Sequence, residues 1–430
     1  MPPAAALLDE MVEEVFLRFP PDEPKHLLRA ALVCKRWRRI VSDRGFRRRF
    51  CELHRKPRML GFLYNRSHSS IFVPTCSFRP PSAAHRYGPV IDARHGRVLL
   101  LPGFPDWEKR PLDNAFVVWD PITSERRELP LLPRSVRSAD WNAAVLCATA
   151  PGGACDHLDC CGGPFLVIFV ATDKGRMFDY AYSSETGAWS EQTSAQHAAG
   201  CRMALSPSAL VGNALYFLNG YLKTVLKFDL GTRKLSVIRI PPSCYFGSIV
   251  LMITEHGGLG FATVVNSELH LWSRESGSEE DAGWVQSRVI ELKTLFPAHI
   301  LDSLYVTGFG EGVDIIFVRG NRKDFTIDLK SIQVTKVQKD IGIRLAHMFP
   351  YTGLYTPGEN SLQRALLRAE VIVDEAMGRH IKNQAMLQQL DVRYETPCIE
   401  ATTLDTFRYQ YHDEKEAKDK AVVYVQNKFC

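Results

Sequence analysis

Nowhere does the 430-residue chain carry an uninterrupted apolar run of about 18 residues, the length a membrane-crossing helix needs. Its start, MPPAAALLDEMVEEVF, lacks a basic n-region and is acidic within its apolar stretch, so no secretory signal is expected there. GxSxG, P-loop and HExxH strings are missing, as is GxGxxG in a βαβ setting, which removes common hydrolase, nucleotide-binding and zinc-protease readings. Paired metal-ligand knuckles are missing too. The string Cys155-Asp156-His157-Leu158-Asp159-Cys160-Cys161 holds soft ligands, but glycines 152, 153, 162 and 163 flank it and no second knuckle follows. It reads as an insertion between strands, with a metal or redox site as the alternative. His85, His95, His197 and His256 form no evident catalytic set and read as loop or packing residues. The eleven cysteines are odd in number and scattered, which suggests reduced thiols and a location in the cytoplasm or nucleus. No metal, cofactor or catalytic residue is expected.

The composition present is that of an ordinary globular chain, and its length suggests two to three domains. The net charge of +5 is unevenly placed. Residues 35–58 hold 11 Lys or Arg and two acids, a local +9, leaving the rest at about −4. This basic stretch sits at helical spacing around apolar residues without a groove-reading motif. It is read as a solvated helix face, with a nucleic-acid or acidic partner as the minor alternative.

The first fifty residues read as short helices. Leu8, Met11, Val12, Val15 and Phe19 recur at helical intervals, with Asp9, Glu10, Glu13 and Glu14 mostly outside the stripe. Pro20 and Pro21 end this helix, and Asp22 can cap the next. Val33, Trp37, Ile40 and Val41 form a second stripe, and Phe46, Phe50 and Leu53 a third. A unit below about 60 residues is marginal alone and gains from a partner.

Residues 7–50 resemble an F-box, on Leu7, Met11, Val15, Phe19 and Pro20, then Leu27, Leu28 and Ala31, then the string Val33-Cys34-Lys35-Arg36-Trp37 and Phe46. Leu8 stands where that family often has proline, and Phe19 replaces a leucine. The resemblance implies docking onto a Skp-type adaptor and, through it, a cullin–RING ubiquitin ligase. The residues expected to carry that docking are Leu7, Leu8, Phe16, Phe19, Pro20, Leu27, Leu28, Val33, Cys34 and Trp37. Trp37 is expected to pack internally as much as it touches a partner, and Cys34 to lie inert in the core.

From about Met59 to Phe349, short runs rich in Val, Ile, Leu and Phe alternate with Gly, Pro, Asn and Asp clusters, the mark of an all-β region. AFVVWDPITSERRELPLLP, RMFDYAYSSETGAWSEQ, TVLKFDLGTRKLSVIRIP and DFTIDLKSIQVTKV share one outline: an apolar strand ending near Asp or Tyr, a turn, and a returning strand. A more apolar strand pair precedes several of them. Units at 90–133, 141–192, 206–242, 247–292 and 303–338, with strands at 59–73 forming or completing another, predict a kelch-like propeller of about six blades. GFGEG at 308–312 reads as a turn. The stretches Asp92–Leu101, Trp119–Pro130 and FPYTGLY at 349–355 are similar to F-box-associated domains of plant receptors.

Leu362, Leu366, Ala369, Val373, Ala376 and Met377 recur at helical intervals near the end, before a charged stretch at 413–420 and the string AVVYV. The expected fold class is α+β multidomain: an all-α F-box at 1–56, an all-β propeller at 57–350, and a helical, charged extension at 351–430. The function expected is that of a non-catalytic substrate receptor of an SCF-type ubiquitin ligase, holding a protein client on loops of one propeller face. Trp107, Trp141 and Arg137 are loop candidates, with a core or rim role equally open. A ligand- or glycan-binding propeller and an F-box protein in a non-ligase complex are the alternatives. No membrane partner is expected.

Overall fold

The computed structural model describes residues 8–21, 23–55, 58–66, 69–80, 88–101, 115–123, 125–133, 140–148, 160, 163–173, 176–196, 203, 205–219, 224–245, 247–275, 283–337 and 347–353. Leu7, Trp107, Arg137, most of the 155–161 string and nearly all of the expected C-terminal extension lie outside these residues. The chain divides into two compact units. Among the described residues, 8–19 and 25–47 belong to one, and 20–24 and 48–353 to the other.

Four helices open the chain: α1 (Asp9–Leu17), α2 (Lys25–Val33), α3 (Lys35–Ser42) and α4 (Arg44–His54). Their starts are set by local chemistry. Asp9 and Glu10 lie in the first turn of α1, where negative charge suits the helix dipole. The Cys34 thiol accepts the Trp37 N–H at 3.5 Å at the start of α3. Asp43 Oδ1 accepts the Phe46 N–H at 3.1 Å at the start of α4. No described helix is long and apolar enough to cross a membrane.

The second unit is a ring of six sheets. In chain order, the first pairs β1 (Arg58–Arg66) with β2 (Ser69–Pro74). The second holds β3 (Val90–Arg94), β4 (Arg97–Leu100), β5 (Val117–Trp119) and β6 (Arg126–Glu128). The third holds β7 (Trp141–Cys147), β8 (Phe165–Asp173), β9 (Arg176–Ser183), β10 (Ala188–Trp189) and β11 (Thr193–Gln196). The fourth holds β12 (Ala209–Val211), β13 (Ala214–Asn219), β14 (Thr224–Asp229) and β15 (Leu235–Arg239). The fifth holds β16 (Ile249–Ile253), β17 (Leu259–Val265), β18 (Glu268–Arg274) and β19 (Trp284–Glu291). A short helix, α5 (Ala298–Leu301), precedes the sixth: β20 (Tyr305–Gly310), β21 (Ile315–Gly320), β22 (Lys323–Asp328) and β23 (Val334–Lys336).

The ring is closed by β24 (Met348–Gly353), which pairs antiparallel with β1, so the last described strand completes the first blade. This resolves the expectation for strands 59–73: they complete a blade that needs a strand nearly 300 residues further on. The architecture is a six-bladed β-propeller, as the repeat spacing predicts. GFGEG proves half strand and half turn. Gly308 lies in β20 beside β24, where an added Cβ would come within 2.6 Å of the Met348 carbonyl oxygen, so only glycine lets the two innermost strands approach this closely.

The core lies between blades. In β13, Leu215 and Phe217 pack with the third blade, including Leu146 and Ile168. The alternate residues Ala214, Tyr216 and Leu218 pack with the fifth, including Ile249 and Phe261. Both faces of the strand are therefore covered, which explains why β7 and β13 are buried along their length, and mostly apolar, instead of alternating. The repeated Asp has a structural task. Asp120, Asp229 and Asp328 each follow or end the third strand of a blade and accept two turn N–H groups through Oδ1: Ile122 and Thr123, Gly231 and Thr232, and Lys330 and Ser331. A short polar side chain that mimics a backbone turn is what this hairpin requires. Trp189 and Trp284 play matching parts, donating their indole N–H to the Pro130 and Arg239 carbonyls of the preceding blade at 2.8 and 2.7 Å.

Candidate functional site

Among the described residues, one feature in each unit stands out: an apolar row in the helices and a cavity in the propeller. In the helical unit, Val12, Phe16 and Leu17 of α1 are buried, while Leu8, Met11 and Val15 are 64%, 54% and 53% exposed. The helix carries apolar residues on more than one face, so the stripe read from spacing spans an inward row and an outward row. Phe16 packs edge-on against Trp37 at 5.2 Å between ring centroids and tilts against Phe19 at 5.5 Å. Asp9 forms an ion pair with Arg36 and a second with Arg39 at 3.2 Å, tying α1 to α3. The hydrogen bond from Arg36 holds the Asp9 carboxyl below its ordinary pKa.

The structure sorts the expected docking residues. Phe16 and Leu27 are interior. Phe19, Leu28 and Trp37 are half-buried, and Leu8, Pro20, Val33 and Cys34 are exposed. Cys34 is a correction: it sits at the surface, since a residue capping a helix start stands half outside the helix it caps. Met11 and Val15, matched to the F-box pattern but not counted among the docking residues, extend the outward row with Leu8.

In the propeller, a cavity of about 210 Å3 opens where the C-terminal ends of several innermost strands converge. Its polar groups come from different blades. Arg94, at the end of β3, is nearly buried and reaches across to the fourth blade, where Nη2 donates to the Ser208 carbonyl at 2.6 Å and both Nη atoms lie 3.4 Å from Ser208 Oγ. Its Nη1 is 3.6 Å from Asp92 Oδ2, and its Nε is 3.9 Å from Glu311 Oε2 in the sixth blade. Asp92 also accepts the Val145 N–H of the third blade at 3.0 Å. Burial pushes the Asp92 carboxyl above its ordinary pKa, against the pull of Arg94 and of the Val145 and Ala93 amides. Desolvation by the surrounding wall pushes Glu311 up as well, although its side chain is 46% exposed; Arg94 pulls it down and Asp92 adds to the rise.

Leu251, Met252, Phe309 and Phe349 are among the apolar residues that line it, and Arg55 and His95 line it too. Among the described residues no three His, Cys, Asp or Glu side chains are grouped to hold a metal ion. The sequence reading missed this cavity. Asp92 and Arg94 stand two apart on one strand and so share a face, the one local signal available. Glu311 looked like a turn residue. Trp141, a loop candidate, is buried in the core between the second and third blades. His95 occupies the β3–β4 turn with φ 53°, followed by Gly96 at 72°, and its Nδ1 accepts the Cys147 N–H at 3.1 Å. That is a packing role.

Comparison with known families decides what kind of protein carries this architecture. The family described as F-box protein AT5G49610-like, beta-propeller matches residues 89–357. The chain belongs to that family. The F-box-like family matches residues 9–52 of the same chain. A comparison with curated proteins finds no match. Among solved structures, a functionally unknown protein from Desulfotomaculum acetoxidans aligns at 8% identity and TM-score 0.39, over 69% of this chain and 89% of its own. A protein from Lactobacillus plantarum aligns at 12% and 0.36, over 63% and 73%. A chain of a nidogen/laminin complex aligns at 6% and 0.38, over 67% and 97%. Likenesses of this order carry no functional argument.

Proposed function

We propose that this F-box protein is a non-catalytic substrate receptor of an SCF-type ubiquitin ligase, acting in the cytoplasm or nucleus. Its helical unit would dock on a Skp-type adaptor, and its propeller would present a protein client to the ubiquitin-charged enzyme. Catalysis would then come from proximity within the assembly. The observation that supports the docking half is the outward apolar row of α1, Leu8, Met11 and Val15, on a unit matched by the F-box-like family. Removing exposed apolar surface from water is the dominant favourable contribution to most protein–protein association.

Co-purification of the full chain with a Skp-type adaptor tests this, beside the variants Leu8→Asp and Val15→Asp. Both positions are exposed, so the variants keep the helical core. Capture by the wild type and its loss in both variants are the expected results. Undiminished capture by the variants would remove α1 from the interface, and no capture by a folded wild type would sink the receptor reading. Recovery of a cullin through the adaptor separates ligase assembly from a non-ligase complex.

A further inference from the structure

We propose that the propeller cavity is a subsite for one cationic side chain of a client, a lysine or arginine, with its charged head against Glu311 and its stem on the apolar residues that line it. The inference rests on the receptor reading and adds the chemistry of what is received. Size comes first. At about 210 Å3 the cavity is smaller than the roughly 300 Å3 at which pockets for whole small-molecule ligands begin, and it suits a single long side chain. Shape of chemistry comes next: Leu251, Met252, Phe309 and Phe349 offer an apolar surface beside charged groups, which matches a side chain with a hydrocarbon stem and a polar head.

The sign of the head follows from how each charge on the wall is already used. Arg94 is held by the Ser208 carbonyl and hydroxyl and lies close to Asp92. Asp92 is buried behind it and accepts the Val145 N–H. Arg55 donates its Nε to the Glu52 carbonyl at 3.2 Å. Glu311 differs from Arg94 and Asp92, which are both buried. Its ion-pair contact is the long one, 3.9 Å to Arg94 Nε, and its side chain is 46% exposed. An accessible carboxylate with a weakly engaged counter-ion, set among apolar walls that strengthen a charge–charge contact, favours a cation over an anion or a neutral group. The arrangement exists only in the folded ring, because Asp92 and Arg94, Ser208 and Glu311 come from three separate blades.

The test uses the full chain and three probes: N-acetyl-lysine methylamide, its norleucine counterpart with the same stem and no charge, and its glutamate counterpart. Saturation-transfer NMR reads binding, and thermal melting checks that Glu311→Gln remains folded. The lysine probe is expected to bind about tenfold more tightly than the norleucine probe, and Glu311→Gln to abolish that preference at an unchanged melting temperature. Equal binding of lysine and norleucine, an unchanged preference in the variant, tighter binding of the glutamate probe, or no binding of the lysine probe to folded protein would each overturn the subsite. Adaptor capture by the wild type is measured separately. Its failure beside a clear lysine preference would overturn the receptor reading and leave the cation subsite standing.

Discussion

Leu8, just before α1, and Met11 and Val15 within it stand more than half exposed, whereas all six residues of β13 are buried. The helical unit is too small to cover its apolar residues and leaves a row of them outside. The propeller covers both faces of its inner strands with neighbouring blades and fixes the joints with polar contacts such as Arg94 to Ser208, Trp189 to Pro130 and Trp284 to Arg239. The difference teaches where to look for function. In the helices the informative feature is exposed apolar surface, and in the propeller it is charge brought together in the interior.

Truncating a buried ring should sharpen this contrast most. Phe317 is fully buried and packs on Phe62 at 5.0 Å, joining the last blade to the closing one. Phe317→Ala should cost about 3–5 kcal/mol in urea unfolding. Val15→Ala, at an exposed site, should change stability by no more than about 0.5 kcal/mol while weakening adaptor capture. Equal stability losses would break the contrast.

Next in size is a polar joint between blades. Arg233 donates Nε to Asp179 at 2.8 Å, and burial holds the Asp179 carboxyl above its ordinary pKa even so. Arg233→Met leaves that carboxylate unpaired and should cost about 2 kcal/mol at neutral pH, with a smaller loss once acid protonates Asp179. A loss that grows on acidification would exclude this account.

A smaller effect separates the two variants of one titration. Desolvation lowers the His347 pKa to about 4 against an unfolded value of 6.5. Keeping this imidazole neutral supports the fold above pH 6.5, and that support is lost as pH falls toward about 4. His347→Gln should therefore gain on the wild type by about 1 kcal/mol between about pH 7 and about pH 5.5, read as the shift in urea midpoint. Parallel pH profiles of the two proteins would refute the neutral-histidine assignment.

The smallest change lies in the helices. A thiol is a weak acceptor at the start of α3, so Cys34→Ser should stabilise the full chain by about 0.5 kcal/mol in the same assay. Any destabilisation would show that Cys34 does more than cap.

Much of the fold was legible in particular residues. Asp120, Asp229 and Asp328 marked equivalent turns, and the spacing of the apolar pairs gave the blades, because both depend on neighbours close in sequence. Which apolar residues of α1 face outward was not legible, since Val12 and Val15 look alike until α3 packs against one side. The pairing of β24 with β1 also escaped the strand pattern. Ring closure joins Leu63 to Phe349, and no local preference encodes a partner at that distance.

By itself the sequence determined the helical start, the turn chemistry, the continuous apolar strands and the six-fold repetition, all of them consequences of side chains acting over a few residues. Only the tertiary structure decided that Asp92, Arg94, Ser208 and Glu311 meet in one cavity. Electrostatic contacts act through space over a few ångströms, and residues more than 200 positions apart become neighbours only once the ring has closed.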